Sequence, residues 1–104
     1  MTQEALYAVH WPRGPRTVSA EPVAPRLASL AGKTVAFLWD YLFRGDQIFA
    51  IVQRELQQRF PGIHFIGHEE FGSTHGADER EVLEQLPAKL KSLGVDAVIS
   101  GMGC

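Results

Sequence analysis

A second cysteine, a long apolar run and a surplus of either charge are all missing from this sequence, and each absence removes a class of function. With one cysteine, Cys104, the chain can form neither an intramolecular disulfide nor a cysteine-rich metal site, so a redox role needs a second thiol from elsewhere. No apolar stretch approaches the roughly 18 residues of a membrane span, and the first residues lack the basic-then-apolar order of a secretory signal. The expected setting is cytoplasmic, with no membrane partner. Ten basic against twelve acidic side chains leave a formal charge of -2. That supplies no field for a phosphate backbone, and nucleic acid is set aside as a partner.

What is present suits a folded domain. Apolar residues make up 45% and charged residues 21% of 104 positions, ordinary for a globular protein and too hydrophobic for a disordered one. The length gives one domain, short for a doubly wound fold. Pro12, Pro15, Pro22 and Pro25 crowd the first stretch, which has no sustained periodicity, so residues 1–30 are expected to form an extended arm. Within it Tyr7, Val9 and Trp11 alternate at strand spacing, while Arg13 and Arg16 flank a turn signal at Gly14-Pro15. The arm can drape over the domain surface, form an edge strand or pack on a partner.

Residues 31–104 read as an α/β domain. Thr34 to Trp39 is a continuous apolar run of strand length. Ile48, Val52 and Leu56, with Phe49 and Phe60 beside them, recur at helical spacing behind Asp46, which serves as cap or dipole partner. Pro61-Gly62 ends that helix and Ile63–Gly67 reads as a second strand. After a polar loop, Asp78-x-x-Glu81 predicts a capping-box start to a second helix whose stripe is Val82, Leu83, Leu86, Leu90 and Leu93. Pro87 is expected to kink that helix or restart it, and Gly94 to stop it. Val95–Ser100 is the third strand. The order β-α-β-α-β with short connections implies parallel strands joined by crossovers, a Rossmann-like three-layer half-domain. Three strands and two helices leave sheet edges open, so the fold is expected to be incomplete at its C-terminal side and to be covered by further chain, a second subunit or the arm.

In open α/β sheets ligands gather beyond the carboxyl ends of the strands. The loops there carry Asp40, Tyr41 and Arg44 after the first strand; His68, Glu69, Glu70, Thr74 and His75 after the second; and Gly101, Met102, Gly103 and Cys104 after the third. Cys104 follows glycines that allow a tight turn, which suits a thiolate nucleophile; it is equally read as a small packing residue. His68 and His75 are candidate acid/base groups. Their spacing is not diagnostic of a metal, and a solvated polar loop accounts for them as well, so neither metal nor cofactor is assigned. Arg44 either clamps an anionic substrate group or pairs with a neighbouring carboxylate. Asp40, Glu70, Thr74, Gly101 and Gly103 complete the candidate substrate-binding set. Trp39 and Phe71 either line an apolar pocket or belong to the core.

The segments Leu30-Ala-Gly-Lys33, Phe37-Leu-Trp-Asp40, Phe43-Arg-Gly-Asp46, Glu69-Glu-Phe-Gly72, His75-Gly-Ala-Asp-Glu79 and Val98-Ile-Ser-Gly-Met-Gly-Cys104 resemble the UGSC-motif (seleno)protein family over roughly residues 26–104. In that family a strand ending in Gly-x-Gly runs into cysteine or selenocysteine followed by Gly-Ser-Cys. The resemblance implies a thiol- or selenol-based site at the end of the third strand, where a chalcogenolate attacks an electrophile and a nearby cysteine resolves the adduct. It also implies that this sequence corresponds to the family's N-terminal part. Selenocysteine is encoded by UGA, so the expectation is an in-frame TGA after codon 104 followed by Gly-Ser-Cys codons. Cys104 would then neighbour the reactive residue, and the fragment alone would be inactive. The expected partners are a small-molecule electrophile or thiol, and a homodimer mate or completing second chain. The competing reading is a non-enzymatic subunit or binding module completed by that second chain.

Overall fold

The computed structural model describes residues 4–102. Its elements run β1 (Thr34–Trp39), α1 (Gly45–Arg59), β2 (His64–Ile66), a single 3-10 turn (His68–Glu70), α2 (Glu79–Ser92) and β3 (Ala97–Gly101). The three strands form one parallel sheet in the order β2-β1-β3. The central strand is therefore the first in sequence. Its run of β-branched and aromatic side chains suits a strand paired on both sides and buried on both faces.

Strand alternation divides the core. Phe37 and Trp39 point to the face covered by α1, where they pack with Phe49 and Val52, joined by Phe65, Ile99 and Met102. Ala36 and Leu38 point to the other face and meet Phe71, Leu86, Leu90 and Val95, so α2 covers that side. The chain is thus an α/β domain with one helix on each face of a parallel sheet. Phe37 stacks on Phe65 with ring centroids 5.4 Å apart and tilts against Phe49 at 4.6 Å. Full burial of side chains of this size stabilises by about 1.5–3 kcal/mol each. Trp39 and Phe71 are both buried, which settles their place in the core.

The ends of the elements correct several expectations. Asp46 lies in the first turn of α1 while Arg44 occupies the N-cap position without a side-chain cap, so Asp46 acts through the helix dipole alone. Asp78 is at the N-cap of α2 but its carboxylate makes no capping bond; its carbonyl accepts from Val82 N–H at 3.0 Å instead. The capping box does not form because Asp78, at φ -101 and ψ 16, is already close to a helical turn. A cap oxygen reaches the first-turn N–H groups from an extended backbone. α2 runs through Pro87 as one helix and does not restart there. Its far end is a Schellman motif: Gly94 N–H donates to Lys91 C=O at 3.2 Å and Val95 N–H to Leu90 C=O at 3.1 Å, with Gly94 at φ +65 and Val95 and Leu90 in the same apolar cluster. β2 and β3 are displaced slightly from their expected bounds, to His64–Ile66 and Ala97–Gly101.

Residues 4–33 hold no helix or strand. Leu6, Tyr7, Val9, Trp11, Val18 and Val23 are between 77% and 95% exposed. The radius of gyration is 21.2 Å, against about 13 Å for a compact chain of this length. Among the described residues no helix is long and apolar enough to cross a membrane.

Candidate functional site

Beyond the carboxyl end of β1 the chain makes an unusual loop. Tyr41 and Phe43 both adopt positive φ, 61 and 55, a left-handed conformation that costs a residue with a Cβ about 1–2 kcal/mol. Three contacts hold it. Asp40 Oδ1 accepts from Leu42 N–H at 3.1 Å, closing an Asx turn. Trp39 Nε1–H donates to Leu42 C=O at 2.9 Å. The Tyr41 ring stacks on the indole with centroids 4.5 Å apart and planes 19° apart. The indole in turn lies against the first residue of α1, Gly45, where a Cβ would stand 2.2 Å from Nε1. Glycine at that position is a space requirement set by Trp39.

The loop after β2 folds back onto the same edge. Ser73 bridges Trp39 as an additional parallel pairing, Thr74 N–H donates to Trp39 C=O at 3.1 Å, and Ser73 Oγ donates to Asp40 C=O at 3.4 Å. The 3-10 turn places His68 edge-on to Trp39 at 4.9 Å and to Tyr41 at 5.2 Å. Both ring nitrogens of His68 have partners: Nδ1 is 3.1 Å from the Tyr41 hydroxyl, and Nε2 is 3.4 Å from Glu69 Oε1. The carboxylate can only accept, while the direction of the contact between Nδ1 and the Tyr41 hydroxyl follows the imidazole tautomer. Glu69 has room to turn back because residue 67 is glycine, where a Cβ would lie 2.3 Å from its Oε2.

β3 completes the edge. Its last residue, Gly101, is paired in register with Trp39, so the chain leaves the sheet beside the aromatic cluster. The other candidates lie around this centre. Arg44 is exposed, with its carbonyl accepting from Ile48 N–H at 2.9 Å. Glu70 is also exposed; its carbonyl accepts from the Lys89 ammonium, which ties the turn to α2. His75 is exposed, held through its N–H to Ser73 Oγ at 3.1 Å. His68 is thus partnered by Tyr41 and Glu69 and not by His75. Among the described residues no group of three or more His, Cys, Asp or Glu is placed to hold a metal ion. Gly103 and Cys104 lie outside the described residues.

The site is an open surface, since no cavity opens among the described residues. Its centre is one imidazole between a phenol and a carboxylate, an arrangement able to move a proton. Sequence reasoning placed Asp40, Tyr41, His68, Glu69 and Thr74 at this edge. It gave Tyr41 and Glu69 no catalytic or binding role and did not name Ser73. The signal for Tyr41 was its position two residues after Trp39, the strand period that lets one aromatic ring stand beside another.

These features define an α/β protein with a parallel sheet and a polar, aromatic-centred site at the carboxyl edge of its strands. A family model for the UGSC family matches residues 8–104, and the chain belongs to that family. The match takes in most of the arm as well as the domain. Searches of curated proteins and of solved structures return no match.

Proposed function

We propose that the chain is a Rossmann-like half-domain of a thiol- or selenol-dependent oxidoreductase, cytoplasmic in setting, whose reactive loop follows β3. The observation that carries this reading is the pairing of Gly101 with Trp39, which starts the loop beside Tyr41 and His68. Cys104 comes three residues later, a reach of at most about 11 Å. The sheet order β2-β1-β3 with helices on opposite faces supports it further. Strand order reverses beside β1, and crevices at such points are where open α/β sheets bind ligands. In the reaction envisaged, a thiolate or selenolate of the reactive loop attacks one sulfur of a disulfide and the other sulfur departs as a thiolate; a second thiol then attacks the loop's own sulfur or selenium, releasing the substrate's remaining sulfur as a thiolate and leaving the loop residue bonded to the second thiol. Two electrons pass from the thiols to the substrate. Asp40, Arg44, Glu70, Thr74, Gly101 and Gly103 are the groups around which the substrate would bind, with His68 and His75 handling protons.

The test is turnover of an aromatic disulfide, with a small thiol as reductant, by the chain extended through the family's cysteine-Gly-Ser-Cys motif. Thiol-dependent turnover above the uncatalysed exchange, lost when the motif cysteines become serine, is the expected result. Equal turnover by the extended chain and its serine variants would refute it.

A second reading has its own support. β3 is paired with β1 alone, Val98 on it is 40% exposed, and the arm's large apolar side chains are bare. An open edge and an unpacked arm suit a binding module or subunit that docks onto a second copy or a completing chain. Sedimentation equilibrium of the isolated chain distinguishes them: a monomer at micromolar concentration removes the support for a homodimer.

A further inference from the structure

The N-terminal arm and the margin of the sheet each lack what the other has. Leu6, Tyr7, Val9, Trp11, Val18 and Val23 are between 77% and 95% exposed, and Tyr7, Val9 and Trp11 fall on one side of an extended chain, where side chains alternate. The order β2-β1-β3 sends the third strand to the far side of β1 and leaves β2 at a margin. His64 N–H is turned inward, donating to Lys33 C=O at 2.8 Å. The N–H and C=O of Phe65 therefore point the other way, where no strand lies among the described residues. Phe65 and Ile66 are only partly buried, one at the rim of each core cluster. We propose that the arm of one molecule adds Tyr7–Trp11 as a strand beside β2 of a second copy, whose own arm returns the contact; this rests on the docking reading above and names its partner and surface.

Reach favours a second copy over the arm's own domain. The arm is fastened just before β1, where Gly32 N–H donates to Pro61 C=O at 3.0 Å, Lys33 N–H to Leu30 C=O at 3.1 Å and Ala31 N–H to Ser29 Oγ at 3.0 Å. Between that anchor and Trp11 stand Pro12, Pro15, Pro22 and Pro25, each fixing its own φ and biasing the residue before it to extended backbone. A proline-rich spacer runs at about 3 Å per residue and resists doubling back. The molecule accordingly measures 76 Å along its longest axis against 36 and 27 Å across, and the strand-forming segment is carried toward a neighbour. The area is sufficient for a stable pair. The arm's bare side chains offer roughly 800 Å², what one partner brings to a standard interface, so two exchanged arms and the surfaces they cover bury about 3,000 Å², within the range of obligate dimers. Charge acts in the same direction. Arg13, Arg16 and Arg26 outnumber Glu4 and Glu21 in the arm, so the acidic excess of the chain lies wholly in residues 31–104 and attracts the arm of another molecule. Reciprocal exchange closes at two copies.

The experiment uses the whole chain in a Cys104→Ser background. Sedimentation equilibrium compares this parent with Trp11→Ala, and far-ultraviolet circular dichroism confirms that the variant keeps its helices. In parallel a nitroxide is attached at Glu4→Cys, exposed and just outside the added strand. The labelled chain, made with nitrogen-14, is mixed with an equal amount of the nitrogen-15 parent, and the amide line widths of the latter are read before and after the nitroxide is reduced. With arm exchange the parent is a dimer at micromolar concentration, and Trp11→Ala weakens it at least about tenfold, as loss of an aromatic anchor does. The nitroxide then broadens the Phe65 and Ile66 amides of the other molecule. A dimer left equally tight by Trp11→Ala, or one whose Phe65 and Ile66 amides stay sharp, overturns the exchange and leaves the docking reading standing. Broadening seen only when nitroxide and nitrogen-15 are on the same chain puts the arm on its own domain and overturns the exchange. A monomeric parent overturns the exchange and the homodimer with it.

Discussion

Replacing Gly45 by alanine separates what the tertiary structure requires from what helix propensity prefers. Gly45 opens α1, and in a helix alanine is favoured over glycine by about 1 kcal/mol, so propensity alone makes Gly45→Ala a stabilising change. The structure makes the opposite prediction. The new methyl would lie 2.2, 2.6 and 2.7 Å from three atoms of the Trp39 indole, and the ring, 8% exposed, has no open space to retreat into. Overpacking of a buried site costs about 1–3 kcal/mol. Displacing the indole also strains its 2.9 Å bond to Leu42 C=O, worth about 1 kcal/mol, and its stack on Tyr41 at 4.5 Å, worth about 0.5–1.5 kcal/mol. Set against the propensity gain, the net effect is a loss of about 3 kcal/mol. Urea unfolding followed by tryptophan fluorescence in a Trp11→Phe background reads it directly, because Trp39 is then the sole tryptophan. Gly94→Ala is the companion measurement. That glycine has φ +65 and nothing within 4 Å of an added Cβ, so only backbone strain of about 1–2 kcal/mol applies. A Gly45→Ala protein as stable as wild type, or more so, would refute the steric argument.

Three further perturbations test other parts of the structure. Asp40→Ala removes the 3.1 Å bond that closes the Asx turn and should destabilise by about 1 kcal/mol, whereas Asp40→Asn, which retains an accepting oxygen, should recover most of it in the same urea titration. Pro87→Ala supplies the N–H that α2 lacks at an exposed interior position and should stabilise by about 1–3 kcal/mol; a midpoint at or below that of wild type would show that the helix is distorted to suit the proline. Gly67→Ala meets only the end of the Glu69 side chain, so its stability should stay within about 0.5 kcal/mol of wild type while the His68 nitrogen-15 shifts move as the carboxylate leaves Nε2.

The elements that were legible were those whose signal is local. The run Thr34–Trp39 has the length and composition of a strand buried on both faces, and the structure places β1 at those residues in the centre of the sheet. Gly94 was readable as a stop because the left-handed residue of a Schellman motif is most often glycine. Asp78-x-x-Glu81 has capping-box spacing, yet the bond is absent, since it depends on the backbone angle at Asp78 and not on which residues are there. The site divides in the same way. The expectation that Asp40, His68 and Thr74 share the carboxyl edge followed from strand order alone. The partnership of His68 with Tyr41 did not, because it needs the left-handed turn at Tyr41, which no residue type at that position announces.

By itself the sequence determined an α/β class, the length and placing of the central strand, two helices with apolar stripes, and the family. Composition, periodicity and motif are properties of the chain read along its length, and those features depend on nothing else. Tertiary structure alone decided that β1 lies between β2 and β3, that its odd residues face α1 and its even ones α2, and that an imidazole sits between a phenol and a carboxylate. Apart from the His68–Glu69 contact between neighbours, each of these brings together residues far apart in the chain, fixed when two surfaces pack against the same strand. The indole of Trp39 is where those contacts meet: it requires a glycine six residues later, supports the strained tyrosine, and joins the loops that make the site.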